Sequence, residues 1–105
     1  MIPFSQTSLQ AFCHRYPIQK LSLFGSVLRD DFSDDSDIDI LVEFMPDARV
    51  GLFDMGRMAH ELSGIMGRNV DLVTVGFLSP YFRDDVLHEA QVIYEKVAVQ
   101  SILEE

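Results

Sequence analysis

Two aspartates two residues apart open one of the apolar segments of this chain, in the sequence Asp37-Ile38-Asp39. If the segment is a β-strand, the two side chains project from the same face, with their bases about 7 Å apart. Two carboxylates held side by side repel, and each raises the other's proton affinity unless a cation intervenes. Mg²⁺ is commonly bound by one or two carboxylates together with substrate phosphates. The pair therefore predicts a divalent-metal site.

A Gly-Ser pair, Gly25-Ser26, ends the preceding apolar segment "KLSLF". If the two segments are antiparallel neighbours, the end of the first lies beside the start of the second, next to Asp37 and Asp39. Glycine lets a phosphate approach the backbone, and the N–H groups at a helix start bind anions. The hydroxyl of Ser26 could add a hydrogen bond. A phosphate-binding turn beside a metal-binding pair is what phosphoryl or nucleotidyl transfer requires.

A third carboxylate, Asp71, lies inside the apolar segment "NVDLVTV", where a strand disfavours an acid. Sites with two metal ions, roughly 3.5–4 Å apart, take ligands from several strands. Asp71 would complete such a site and lie within reach of an attacking hydroxyl as a general base. The alternative without function is a glycine turn, a solvated acidic hairpin and a chance aspartate on an edge strand. The combined spacing argues against that alternative.

The periodicity of apolar residues predicts the elements that carry these groups. Helical spacing predicts a helix over residues 5–15, with Ser5 or Thr7 as N-cap and Pro17 after it, and another from Leu52 to Gly67. Alternation predicts strands over residues 20–24, 37–44, 69–75 and 91–95. Residues 26–32 are expected to form one or two helical turns, residues 79–89 a helix that begins at Ser79-Pro80, and the C-terminal tail a weak helix. The order predicts one α/β (α+β) domain over residues 1–105, with a small mixed β-sheet flanked by helices.

Composition and charge limit the kinds of partner and the location that we expect for this protein. The chain is 48% hydrophobic and 24% charged, as in folded globular domains. Its 8 basic and 17 acidic residues give a net charge of -9, which repels nucleic-acid backbones, so no direct nucleic-acid partner is expected. Cys13 is the only cysteine, and no signal peptide or membrane-spanning run is visible. We therefore expect a cytoplasmic protein that does not bind membranes.

The sequence resembles the nucleotidyltransferase superfamily that shares the DNA polymerase β catalytic fold. Members carry Gly-Ser, ten residues, Asp-x-Asp and a third Asp on a later strand, as Gly25-Ser26, Asp37-Ile38-Asp39 and Asp71 do here. The surrounding sequence closely resembles the minimal nucleotidyltransferases (MNT proteins), and the resemblance covers nearly the whole chain. It implies ATP as substrate, Mg²⁺ as cofactor, two ions being expected, and release of pyrophosphate. It also implies that the three aspartates are the catalytic metal ligands and that Gly25-Ser26 holds the triphosphate.

The same resemblance implies a partner. Proteins of this group commonly act as antitoxins that transfer AMP to a tyrosine of a HEPN-family ribonuclease toxin, and an acidic surface would suit such a basic partner. Two alternatives stay open. One is an antitoxin that neutralises its partner by steric binding alone. The other is a small-molecule nucleotidyltransferase of the aminoglycoside type, although such enzymes usually carry an additional helical domain.

Two arginines are further candidates for the site. Arg29, one helical turn past Ser26, is predicted to contact a phosphate, with an ion pair to Asp30 or Asp31 as the alternative. Arg68 is a weaker candidate for a nucleotide contact. Cys13 is expected in the core. Three histidines lack metal-ligand spacing and are expected to be structural or surface residues: His14, His60 and His88.

Overall fold

One mixed sheet of four strands organises the chain in the computed structural model, which describes residues 3–29, 32–33 and 35–96. The elements, in chain order, are α1 (Gln6–Arg15), β1 (Ile18–Phe24), a first 3₁₀ turn (Gly25–Leu28), β2 (Ile38–Phe44), α2 (Leu52–Met66), β3 (Val70–Thr74), a second 3₁₀ turn (Val75–Phe77), α3 (Arg83–Glu89) and β4 (Gln91–Glu95). This mixed sheet with helices confirms the predicted fold class. None of the described helices is long and apolar enough to cross a membrane.

The strand order β3-β2-β1-β4 brings several strand ends together. Strand β1 runs antiparallel to both β2 and β4, whereas β2 and β3 are parallel. The end of β1 and the starts of the other three strands therefore lie at one end of the sheet, called here the aspartate end because Asp39 and Asp71 lie there. The antiparallel pairing of β1 and β2, which the placement of Gly25-Ser26 beside the aspartates requires, is present.

The two long helices end where local chemistry predicts. The side chain of Ser5 accepts a hydrogen bond from the backbone N–H of Ser8 (3.1 Å), which caps α1. Helix α2 ends at Gly67, whose φ of +73° is a left-handed conformation that favours glycine. The side chain of Glu61 in α2 pairs with Arg15 and Tyr16, so that polar contacts also join the two helices.

The core lies between these helices and one face of the sheet. Alternation along β2 buries Ile38 and Ile40 completely. Helix α1 contributes Phe12, and helix α2 contributes Met58 and Leu62, all with no exposed surface. The methionines of α2 are thus packing residues, as the helical spacing indicates. The core holds β2 rigidly and so fixes the carboxylates at its start.

Helix α3 begins later in the chain than predicted. Helix α3 begins at Arg83 and not at Ser79-Pro80, so the predicted start was wrong. The carbonyl of Ser79 accepts a hydrogen bond from the N–H of Phe82 (3.0 Å), while its hydroxyl accepts one from the N–H of Tyr81 (3.3 Å). Ser79 therefore closes a tight turn first, and the helix follows. The predicted C-terminal helix lies outside the described residues.

Cys13 gives a test of the core. It is 2% exposed, and burial raises the pKa of its thiol to about 12. Because the thiolate is the nucleophile, we expect iodoacetamide to alkylate the native protein at pH 8.5 at least about 100-fold more slowly than the protein in urea. Mass spectrometry of timed samples measures both rates. Similar rates in the two conditions would contradict the burial of this side chain.

Candidate active site

The aspartate end of the sheet brings together residues that are far apart in the sequence. Asp39 lies opposite Phe24 of β1 in the antiparallel pair and opposite Asp71 of β3 in the parallel pair. Neighbouring strands lie about 4.8 Å apart, so Asp71 sits one strand away from Asp39. Gly25 follows Phe24 directly. Gly25, Asp39 and Asp71 thus meet at one place. Asp37, the remaining predicted carboxylate, directly precedes the first residue of β2.

Gly25 and Asp39 are in close contact. Gly25 has a φ of +76°, and a Cβ atom placed on it would lie 3.2 Å from Cγ of Asp39 and overlap its Oδ2 atom. The left-handed backbone turns the chain from β1 into the first 3₁₀ turn. The buried side chain of Val27 anchors this turn, and the N–H of Arg29 donates to the carbonyl of Ser26 (2.9 Å). The structure therefore places the backbone of the Gly-Ser turn against the Asp39 carboxylate.

The electrostatics of Asp39 show a local excess of negative charge. Its partial burial raises the pKa of its carboxyl above the ordinary value, and the charges of Asp71 and Asp37 raise that pKa further. The guanidinium of Arg29 acts in the opposite direction and lowers it. The protein therefore only partly balances the negative charge of this carboxylate, and a bound cation would stabilise its charged form.

The donor set fits Mg²⁺ bound together with a nucleotide. Asp37 and Asp71 are exposed, and within the described residues none of the three aspartates forms an ion pair. Among those same residues, no three acidic, histidine or cysteine side chains already form a metal-binding group. Mg²⁺ does not need one, because it usually takes one or two carboxylates and completes its octahedron with phosphate oxygens and water.

The two arginines differ in position. Arg29 is exposed and directly follows the first 3₁₀ turn. It is near enough to Asp39 for its positive charge to lower the pKa of that carboxyl. Its alternative partners, Asp30 and Asp31, lie outside the described residues. Arg68 donates a hydrogen bond to the carbonyl of Ser33 (2.7 Å), and its guanidinium lies 4.4 Å from the centre of the Phe32 ring. These contacts of Arg68 brace the loop that leads into β2.

Sequence reasoning missed a cavity beside the Gly-Ser turn. It has a volume of about 420 Å³ and lies between Gly25 and Arg29 on one side and Phe77 and Phe82 on the other. The signal in the sequence is the cluster of aromatic residues around Ser79, namely Phe77, Tyr81 and Phe82. A larger cavity of about 770 Å³ lies at the opposite end of the sheet, against residues such as Met45 and Lys96, and contains none of the predicted site residues.

The site has carboxylates on two adjacent strands and a glycine turn beside them, at one end of a mixed sheet. This arrangement suits nucleotidyl transfer. Comparison with known proteins gives the family. The chain belongs to the nucleotidyltransferase domain family, whose pattern it matches over residues 6–93. It is accordingly an enzyme of the nucleotidyltransferase class.

Named relatives are similar over most of their length. A candidate protein adenylyltransferase of Methanocaldococcus jannaschii is 37% identical over 76 residues, which cover 72% of this chain and 80% of the relative. The protein adenylyltransferase MntA of Thermococcus cleftensis is 32% identical over 80 residues, which cover 76% of this chain and 77% of the relative.

Solved structures share the fold. A candidate minimal nucleotidyltransferase has a TM-score of 0.65 and 32% identity, covering 85% of this chain and 87% of its own. A toxin–antitoxin complex with AMP-PNP gives a TM-score of 0.68 at 20% identity, covering 95% of this chain and 86% of its own. The MNT antitoxin complex with a tri-AMPylated HEPN toxin of Shewanella oneidensis gives 0.61 at 20% identity, covering 94% and 82%. At 20% identity the likeness shows the fold alone.

Proposed function

We propose that this protein transfers AMP from ATP, with Mg²⁺, to a tyrosine hydroxyl of a HEPN-family ribonuclease toxin in the cytoplasm, and that it is thereby the antitoxin of that toxin. The observation that carries the proposal is the Asp39 carboxylate, which lies against Gly25 and one strand from Asp71. The relatives named as protein adenylyltransferases support the reaction. The similar fold of MNT antitoxins in complex with HEPN toxins supports the partner.

Two parts of the site would bind the donor nucleotide, the Gly25-Ser26 turn and the three aspartates. The turn at Gly25-Ser26 would offer backbone N–H groups to the triphosphate, and Arg29 adds a positive charge. Asp37, Asp39 and Asp71 would hold the Mg²⁺ ions, with Asp39 fixed by the core behind β2. When bound, Mg²⁺ neutralises phosphate charge and orients the reacting phosphate.

The chemical step is a displacement at the α-phosphorus of ATP. The acceptor oxygen forms a bond to this phosphorus, the bond from the phosphorus to the oxygen that bridges to the β-phosphate breaks, and pyrophosphate leaves. Asp71 accepts the proton of the acceptor hydroxyl as general base. Its exposure on β3, a strand at the edge of the sheet, leaves it accessible to a hydroxyl supplied by another protein.

Asp71→Asn tests this role in cells that express the partner toxin. General-base catalysis contributes roughly 10²- to 10⁴-fold in rate, so we expect the variant to lose protection against the toxin and most of its transfer activity. Asp47→Asn is the matched control, because Asp47 is an exposed acid beyond the opposite end of β2. Growth curves and the AMP content of the toxin are the measurements. Full protection by Asp71→Asn without AMP transfer would favour neutralisation by steric binding.

A further inference from the structure

Large apolar side chains are exposed around the start of α2. Leu52 and Phe53, the first two residues of that helix, are 81% and 91% exposed, and Phe77 of the second 3₁₀ turn is 73% exposed. Leu52 and Phe77 line one cavity of about 410 Å³ together with the partly buried Phe44 and Val50. These five residues are called here the α2 patch. Monomeric proteins rarely leave so many neighbouring apolar side chains in water, so the patch indicates a binding surface.

We infer that the α2 patch is the surface on which the protein that accepts AMP docks. The inference rests on the proposed function, because it takes a protein hydroxyl as the acceptor. Thr74 lines the cavity of the patch and lies three residues after Asp71 on β3, roughly 10 Å away along an extended strand. Phe77 lines both this cavity and the cavity that contains Gly25. The patch is therefore continuous with the candidate active site.

The size of the patch suits the centre of a protein–protein interface. An aromatic side chain can bury about 150–250 Å², so Phe53 and Phe77 together offer a few hundred Å². A stable interface buries about 800 Å² on each partner, roughly a disc 30 Å across. A partner that covers the patch would therefore also extend over Asp71. This placement brings a hydroxyl of the partner to the proposed general base.

Charge favours a basic protein over a second copy of this chain. At the start of α2 the side chain of Asp54 pairs with Arg57 (3.2 Å). In the preceding loop, the exposed Asp47 is balanced by the exposed Arg49. The patch itself therefore has no net charge around it that would have to be desolvated. The whole chain carries a net charge of -9, which repels a second copy or an anionic membrane and attracts a basic protein.

Kinetics of AMP transfer test the inference. The acceptor is the protein that the wild type labels in a native extract with α-labelled ATP, purified and then titrated as substrate. We expect Phe53→Ala to raise the KM for the acceptor at least about 30-fold, as for central aromatic residues of interfaces, with kcat and Mg²⁺-ATP affinity unchanged. Phe53→Leu, which keeps an apolar side chain, should recover most of the loss.

The matched control is Val92→Ala, which should transfer AMP as the wild type does. Val92 is 44% exposed and lies on β4, at the other side of the sheet from β3. Melting temperatures complete the comparison. Phe53 does not pack in the core, so its truncation should leave the melting temperature unchanged.

Four results would overturn the inference while the proposed function stands. They are an unchanged KM in Phe53→Ala, an equal rise in KM for Val92→Ala, a clearly lower melting temperature of Phe53→Ala, and wild-type dimers that Phe53→Ala converts into monomers. The third result would show that the chain itself covers this side chain, and the fourth would assign the patch to self-association. If the wild type labels no protein, the proposed function and the inference both fail.

Discussion

Gly25→Ala is expected to reduce nucleotidyl transfer by about 100-fold or more while the chain still folds. The added Cβ would lie 3.2 Å from Cγ of Asp39 and overlap Oδ2, so the carboxylate or the turn must move. Displacement of a reacting group by about 1 Å costs about 100-fold in rate. The left-handed conformation adds a cost of about 1–2 kcal/mol in the free energy of unfolding. Transfer of labelled AMP and a thermal melt measure the two effects.

Gly67→Ala is the matched control for this prediction. Gly67 ends α2 with a φ of +73°, close to the +76° of Gly25, but a Cβ on it would meet no atom within 4 Å. The two variants therefore share the backbone cost, and only Gly25→Ala adds the collision with Asp39. We expect similar losses of stability but normal transfer by Gly67→Ala. Equal activity in the two variants would show that the contact between Gly25 and Asp39 does not serve the reaction.

Asp39→Asn should have the second large effect. The substitution keeps the shape of the side chain and removes the negative charge that would hold a cation. Metal ions contribute several kcal/mol to such reactions, so we expect a loss of about 1,000-fold or more in the rate of transfer. The measurement is single-turnover transfer at saturating ATP, so that weaker nucleotide binding is separated from slower chemistry.

The same variant should be at least as stable as the wild type at pH 7. Burial and the neighbouring aspartates raise the pKa of Asp39 in the folded protein. The folded state therefore binds the proton more tightly than the unfolded state, and the free energy of unfolding falls as the pH rises from the ordinary Asp range through the raised value. Asparagine removes this penalty, and the difference should vanish below about pH 3. Thermal melts of both proteins between pH 3 and 7 measure this difference in stability. A clearly lower melting temperature for Asp39→Asn at pH 7 would indicate a structural role of the carboxylate.

Local patterns in the sequence predict the elements well where one side is buried. Alternation located β2 within one residue, and helical spacing located α2 together with its glycine end. The start of α3 was missed because Ser79-Pro80 suits a helix start and a tight turn equally. The choice between them depends on the hydrogen bonds that Ser79 makes in the folded chain.

The arrangement of the site was only partly predictable. The expectation that Gly25 lies beside Asp39 assumes antiparallel pairing of β1 and β2, and the structure has that pairing. The parallel register that sets Asp71 opposite Asp39 was not predicted. The cavity depends on the return of the chain from β3 to β4 across the sheet, which joins segments about 50 residues apart. Sequence spacing does not encode that juxtaposition, so the cavity became visible only in the structure.

The most direct measurement of the central claim uses ATP labelled on its α-phosphate, Mg²⁺ and a native cell extract. Wild-type protein is compared with the double variant Asp37→Asn, Asp39→Asn. We expect one labelled protein with the wild type only, and mass spectrometry of that protein should place AMP on a tyrosine of a HEPN-family chain. No labelled protein, with equal capture of the same partner by both forms, would contradict AMP transfer as the basis of the antitoxin function.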